Sequence, residues 1–175
     1  MRRLWRHNLA CALIAEQIAS MGFLDKDIAY TSGIMHDLGR FALSVIQPAE
    51  YSALLESHRG PAASMLECES ELFGWNHCQA GEKLIADWKL PPDFAAVVAE
   101  HHQPHQDDAW GLAELIKISC RLADSIGFPA FPGCESLPYE DLVAQLPERE
   151  RQRFPALKDT LATDVADRIH AVESV

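Results

Sequence analysis

Apolar residues recur along this chain at steps of three and four rather than two, a period that predicts helices almost throughout. The pattern places them at roughly 3–21, 26–37, 40–46, 48–58, 61–73, 77–89, 92–102, 109–127, 138–146 and 156–173. Turn chemistry marks the breaks: Gly22, Gly39, Pro48, Gly60-Pro61, Gly74, Pro91-Pro92, Pro104 and the Gly- and Pro-rich stretch 127–138. Asn76 reads as an N-cap, and Pro92 suits a first helical position. No hairpin signal, internal repeat or glycine-rich phosphate loop stands out. The expected architecture is an all-α bundle over 1–128, with a C-terminal helical extension, 129–175, packing on the same domain.

Histidines and aspartates fall on the apolar stripes. In the first helix His7 lies between Leu4 and Cys11, in register with Ile14 and Ile18. Ala29 and Gly33 lead to His36 and Asp37, and such small residues let a neighbouring helix approach closely. His77 heads the stripe Ala80, Gly81, Leu84, Ile85 and Trp88. Phe94, Val97 and Val98 lead to His101 and His102. Asp124 follows Ile116 and Cys120 at four-residue steps. Taken singly, an inward His is more often a hydrogen-bonded core residue than a ligand, and an inward Asp is often a cap or half of an ion pair. Five helices that each aim an imidazole or carboxylate inward are a different matter, because unpaired buried charge costs several kcal/mol. A shared metal cluster resolves that cost. His58, His105 and His170 fall in loops or off the stripes and read as solvated surface residues.

Composition narrows the function classes. The chain has 175 residues, 48% of them apolar, enough for one sizeable core. A net charge of −11 argues against nucleic acid as the main partner, yet allows a small phosphorylated ligand beside bound cations. No apolar run is long enough to span a bilayer, and Met-Arg-Arg-Leu-Trp-Arg-His lacks the apolar core of a signal peptide. Five cysteines without a Cys-x-x-Cys pair suit reduced thiols in a cytoplasm. Several imidazoles with two carboxylates suit one or two divalent ions of Fe, Mn, Co, Ni or Zn. Ligands spread from residue 7 to residue 124 describe a site assembled by the fold, unlike a closely spaced structural zinc site. Adjacent His36 and Asp37 can face one cluster, and Asp37 could bridge two metals that hold a phosphate and activate a water for attack.

The order His, His-Asp, His, His-His, Asp resembles the HD superfamily of metal-dependent phosphohydrolases. The segments LWRHNLACALIAEQIA, AYTSGIMHDLGRFAL, ECESELFGWNHCQAGEKLIADWKLPPDFAAVVAEHHQP and KISCRLADSIGF resemble its HDOD family, the HD-related output domains of bacterial signalling, from about Leu4 to Phe128. The resemblance implies an all-α fold, a role in signal transduction and signalling-protein partners. It implies no single reaction, since many members lack metal ligands. By the same resemblance His7, His36, Asp37 and Asp124 would hold a first metal. Asp37 would bridge to a second, bound by His77 and one of His101 and His102. Three departures stand out. The Gly-Tyr-Pro signature of the cyclic-dinucleotide phosphodiesterases is absent after His101-His102. Arg40 stands where hydrolytic relatives usually carry Lys; it would contact phosphate with a different donor geometry. Arg3 stands where some relatives place a third-metal glutamate. A typical member also has a preceding N-terminal helical half, so the resemblance implies a fragment or a short stand-alone variant. Two functions follow: a metal-dependent phosphohydrolase acting on a nucleotide-like phosphoester through Asp37 and Arg40, or a non-catalytic signalling module with a structural metal site.

Overall fold

The computed structural model describes residues 1–103 and 110–174. Its helices are α1 (Arg2–Ala19), α2 (Lys26–Met35), α3 (Leu38–Ile46), α4 (Pro48–Ser57), α5 (Met65–Phe73), α6 (His77–Asp87), α7 (Pro92–Glu100), α8 (Leu112–Ser125), α9 (Tyr139–Val143), α10 (Glu148–Arg151) and α11 (Lys158–Glu173). The expected all-α architecture holds, and no helix among the described residues is long and apolar enough to cross a membrane. Two additions are small. A short parallel pairing joins Gly60–Pro61 (β1) to Cys134–Glu135 (β2), and a 3-10 turn (Ala62–Ser64) leads into α5.

The central helix is α1, packed against α2, α8 and α11. Its buried face carries Leu4, His7, Cys11, Ile14 and Ile18. One apolar core joins this face to Leu115, Ile116 and Ile118 of α8 and to Leu161, Val165 and Ile169 of α11. That core runs across the 128/129 position. A second core gathers Leu4, Leu43, Tyr51, Met65 and Phe131.

Local chemistry fixes the ends. Asp25 caps α2 by accepting from the backbone N–H groups of Asp27 and Ile28 at 2.9 and 3.0 Å. Asn76 and Gln79 form a reciprocal capping box at the start of α6, each hydrogen bond 3.0 Å long. Pro92 opens α7, as expected.

The second predicted helix ends early. The chain leaves α2 at Met35, His36 occupies the C-cap, and Asp37 turns into α3 with φ −102° and ψ 22°. This bridge-region backbone lets two adjacent residues aim their side chains at one point. Gly39, expected as a break, lies inside α3 for a packing reason. A Cβ on it would sit 1.8 Å from the His77 carbonyl oxygen and 2.7 Å from Gly81 N. Gly33 allows a similar approach of α2 to α1, where a Cβ would meet Ala12 Cα at 2.4 Å. Gly39→Ala should therefore force α3 and α6 apart and destabilise the fold by at least the roughly 1–3 kcal/mol typical of overpacking. Urea denaturation checks this; an unchanged midpoint would contradict the close contact.

Candidate metal centre

The HD doublet sits between α1, α6 and α7, and Asp37 is its centre. Asp37 Oδ1 lies 3.4 Å from His77 Nε2 and 3.4 Å from His101 Nε2. Its Oδ2 faces His36 Nε2 at 3.7 Å and His7 Nε2 at 3.9 Å. One carboxylate thus presents each oxygen to a different pair of imidazoles. All five side chains are at most 1% exposed.

The rings are oriented from behind. The Nδ1 atom of His7 donates to the Phe128 carbonyl at 2.7 Å, that of His36 to Gly33 at 2.8 Å, and that of His101 to Val98 at 3.0 Å. His77 Nδ1 lies 2.5 Å from Glu69 Oε2, which also accepts from the His77 backbone N–H at 2.8 Å. Each bond places a proton on Nδ1 and turns Nε2 toward the centre, the arrangement by which outer groups orient metal-binding histidines. The Nε2 atoms of His36, His77, His101 and His102 and the Oδ1 of Asp37 are buried without a hydrogen-bond partner among the described residues. Converging unpartnered polar atoms of this kind are costly unless a further group joins them.

Two sets of donor atoms result. Asp37, His77, His101 and His102 form one, and His7, His36 and Cys120 the other, the atoms of each lying within 4.8 Å of one another. The donor chemistry of both sets fits a divalent transition metal. Cys120 was visible in the sequence only as a stripe position; its Sγ lies 3.4 Å from His7 Nε2. Asp124 is placed differently from the other expected ligands. Its Oδ1 approaches His7 on the Nδ1 side, at 3.5 Å, and joins neither set.

Arg40 is fully buried behind Asp37, with Nε 2.9 Å from Oδ2. One of its terminal nitrogens reaches Glu69 Oε1 at 3.3 Å, and the Tyr51 hydroxyl donates to the same oxygen at 2.7 Å. Glu69 therefore ties Arg40, Tyr51 and His77 together. The sequence carried no signal for it, since it is one of several glutamates in a polar run.

Charges follow from these contacts. Burial opposes ionisation of Asp37, but Arg40 and the imidazoles outweigh it and hold the carboxyl well below its ordinary range. Glu69 is likewise disfavoured by burial, yet His77 and Arg40 bring it to about 2. Burial drives His36 down to about 3 and keeps it neutral. His101 goes the other way: despite burial, Cys78 and Asp37 lift it to about 10. A cation entering at His101 must displace a proton there.

A cavity of about 290 Å³ opens onto this cluster. His101, His102, Cys120 and Asp124 form its inner side; Lys117 and Arg121 of α8 and the segments 61–63 and 135–137 complete the walls. Of the histidines expected at the surface, His170 is exposed. His58 is half-buried, with Nε2 2.9 Å from Ser64 Oγ and its ring against Phe131, because β1 folds the loop back onto the second core. His105 lies outside the described residues.

Solved structures share this fold. A crystal structure from Marinobacter aquaeolei VT8, provisionally described as a signal transduction protein, matches with TM-score 0.70 and 20% identity, over 97% of this chain and 38% of that one. One from Shewanella amazonensis SB2B, provisionally described as a phosphohydrolase, matches with TM-score 0.61 and 18% identity, over 93% of this chain and 58% of that one. An HDOD domain protein of unknown function from Geobacter sulfurreducens matches with TM-score 0.61 and 20% identity, over 98% and 60%. The chain thus spans between 38% and 60% of the length of these structural relatives. No curated protein matches it. The sequence model of the HDOD domain matches residues 1–104, more than half of the chain, and with the HD-like helical bundle around His36-Asp37 this makes the chain a member of the HDOD domain family.

Proposed function

We propose that this chain is a metal-dependent phosphohydrolase-like module of bacterial signal transduction, acting on a nucleotide-like phosphoester. The observation that carries the reading is the set of anchored rings. His36, His77 and His101 each spend Nδ1 on a protein acceptor and aim an unpartnered Nε2 at Asp37. A structural core would satisfy those atoms internally. Asp37 Oδ1 with His77, His101 and His102 would hold one divalent ion, and His7 and His36 with Cys120 a second; Asp124 stands beside His7. Bound there, such an ion supplies Lewis acidity toward a phosphoryl oxygen and makes water a better nucleophile near neutral pH. Asp37 keeps its negative charge because Arg40 lies against it, and Glu69 holds the orientation of His77. Arg40 acts in this reading as a positioning residue for Asp37, since it does not line the cavity.

One observation favours the non-catalytic reading. Arg40 Nε already occupies the side of Asp37 Oδ2 that a bridging role would need. A guanidinium that neutralises Asp37 would let the cluster serve as a core element of an interaction module.

The two readings separate by assay. Metal-depleted protein is reloaded with Mn, Fe, Co, Ni or Zn and offered cyclic dinucleotides, cyclic mononucleotides, deoxynucleotides and dinucleoside polyphosphates. The phosphohydrolase reading expects chelator-sensitive turnover of at least one class, abolished in Asp37→Asn. Fully metallated protein with no turnover above the Asp37→Asn control would leave the interaction module as the function.

A further inference from the structure

The cavity beside the histidines has a charged wall that the metal reading does not use. Lys117 and Arg121 are one helical turn apart on α8, so both project from the same face. They line the cavity together with His101 and His102, in a chain whose net charge is −11. Lys117 Nζ is held 2.9 Å from Glu114, which fixes its place in the wall. Arg121 is half-buried and makes no ion pair among the described residues. An arginine facing a cavity in this state suits a planar, doubly accepting anion such as a phosphoryl or carboxylate group. The acidic members of the lining are Asp124, next to His7, and Glu135 on the loop wall. Neither is in ion-pair contact with Arg121.

Size restricts the ligand further. About 290 Å³ lies just below the roughly 300–1,000 Å³ typical of ligand cavities. That volume is closer to one nucleotide than to a ring of two. We infer that Arg121, supported by Lys117, forms the phosphoryl-binding subsite of this cavity, and that its ligand is a phosphoester the size of a nucleoside monophosphate. The inference rests on the phosphoester reading above for the choice of ligand class. The subsite itself is argued from the cavity wall.

Calorimetric titration tests it with AMP, adenosine and cyclic di-GMP as probes, on wild-type protein, Arg121→Ala, Arg121→Lys and Lys117→Met. Metal content and thermal midpoint are measured for each preparation. AMP should bind more tightly than adenosine, which lacks the phosphate, and more tightly than cyclic di-GMP. Arg121→Ala should weaken AMP roughly ten- to hundredfold, as expected for one charged hydrogen-bonding partner, at unchanged metal content. Arg121→Lys should recover part of the loss, and raised salt should weaken AMP in the wild type more than in Arg121→Ala. AMP binding that is absent, equal to that of adenosine, or indifferent to Arg121→Ala overturns the subsite. Tighter binding of cyclic di-GMP overturns the size class. The hydrolase reading fails separately: AMP held through Arg121 while no phosphoester is turned over keeps the subsite and removes the enzyme. Turnover whose KM ignores Arg121→Ala does the reverse.

Discussion

Glu69→Ala should destabilise this protein by roughly 3–5 kcal/mol, the cost of removing one partner from a buried ionic network. Against a typical total of about 5–15 kcal/mol this is a large fraction. Glu69 is fully buried, and its two oxygens serve Tyr51, Arg40, the His77 ring and the His77 backbone. Its loss leaves Arg40 with Asp37 as its remaining carboxylate among the described residues and leaves the first N–H of α6 without its acceptor. Glu69→Gln keeps the shape and one acceptor, so it should cost less. The same network sets an acid limit. Because the folded state lowers Glu69 from its usual 4.5 to about 2, its contribution is complete above about pH 4.5 and is lost as pH falls toward 2. Urea denaturation at pH 7 and at pH 3.5 measures both. A wild-type protein as stable at pH 3.5 as at pH 7, or a Glu69→Ala variant within 1 kcal/mol of wild type, would remove Glu69 from the framework of the site.

Much of the centre was legible because its residues obey the helical period. His7, His77 and His101 each sit one turn from an apolar neighbour, and burial follows from the register. What the period cannot express was missed. His36-Asp37 was read as a helix end, but the turn into α3 depends on how closely Gly39 meets His77 and Gly81. Glu69 sits among exposed acidic residues, and its inward turn is fixed by Tyr51, Arg40 and His77 across long separations. Arg40 was expected to face a ligand because its position resembles a phosphate-contacting lysine; the structure surrounds it with Asp37, Glu69 and Tyr51 instead. The pairing of Gly60–Pro61 with Cys134–Glu135 is two residues long, too short for any alternating pattern to announce it.

Asp37→Ala should strip the metal from both donor sets, whereas His77→Ala should remove only the ion on the Oδ1 side. The expectation follows from the placement of the carboxylate, with Oδ1 3.4 Å from His77 and His101 and Oδ2 3.7 and 3.9 Å from His36 and His7. Losing that anion removes a ligand and also leaves Arg40, then paired only through its terminal nitrogen with Glu69, facing the imidazoles with half of its compensation gone. The drop in affinity should then exceed the roughly 10- to 100-fold seen when an outer-shell partner is lost. Cobalt makes the two sites distinguishable. Wild-type protein titrated with Co(II) should take up as many as two ions, and ligation by Cys120 should add a near-ultraviolet thiolate-to-cobalt absorption. That absorption should survive His77→Ala and Cys78→Ser but vanish in Cys120→Ser. Asp124→Ala discriminates further, for it should leave the thiolate band in place if Cys120 is the third ligand beside His7 and His36. If His77→Ala loses all metal, or wild-type protein never exceeds one ion, Asp37 joins no pair of metals. The guanidinium of Arg40, 2.9 Å from Oδ2, then stands in for the second cation.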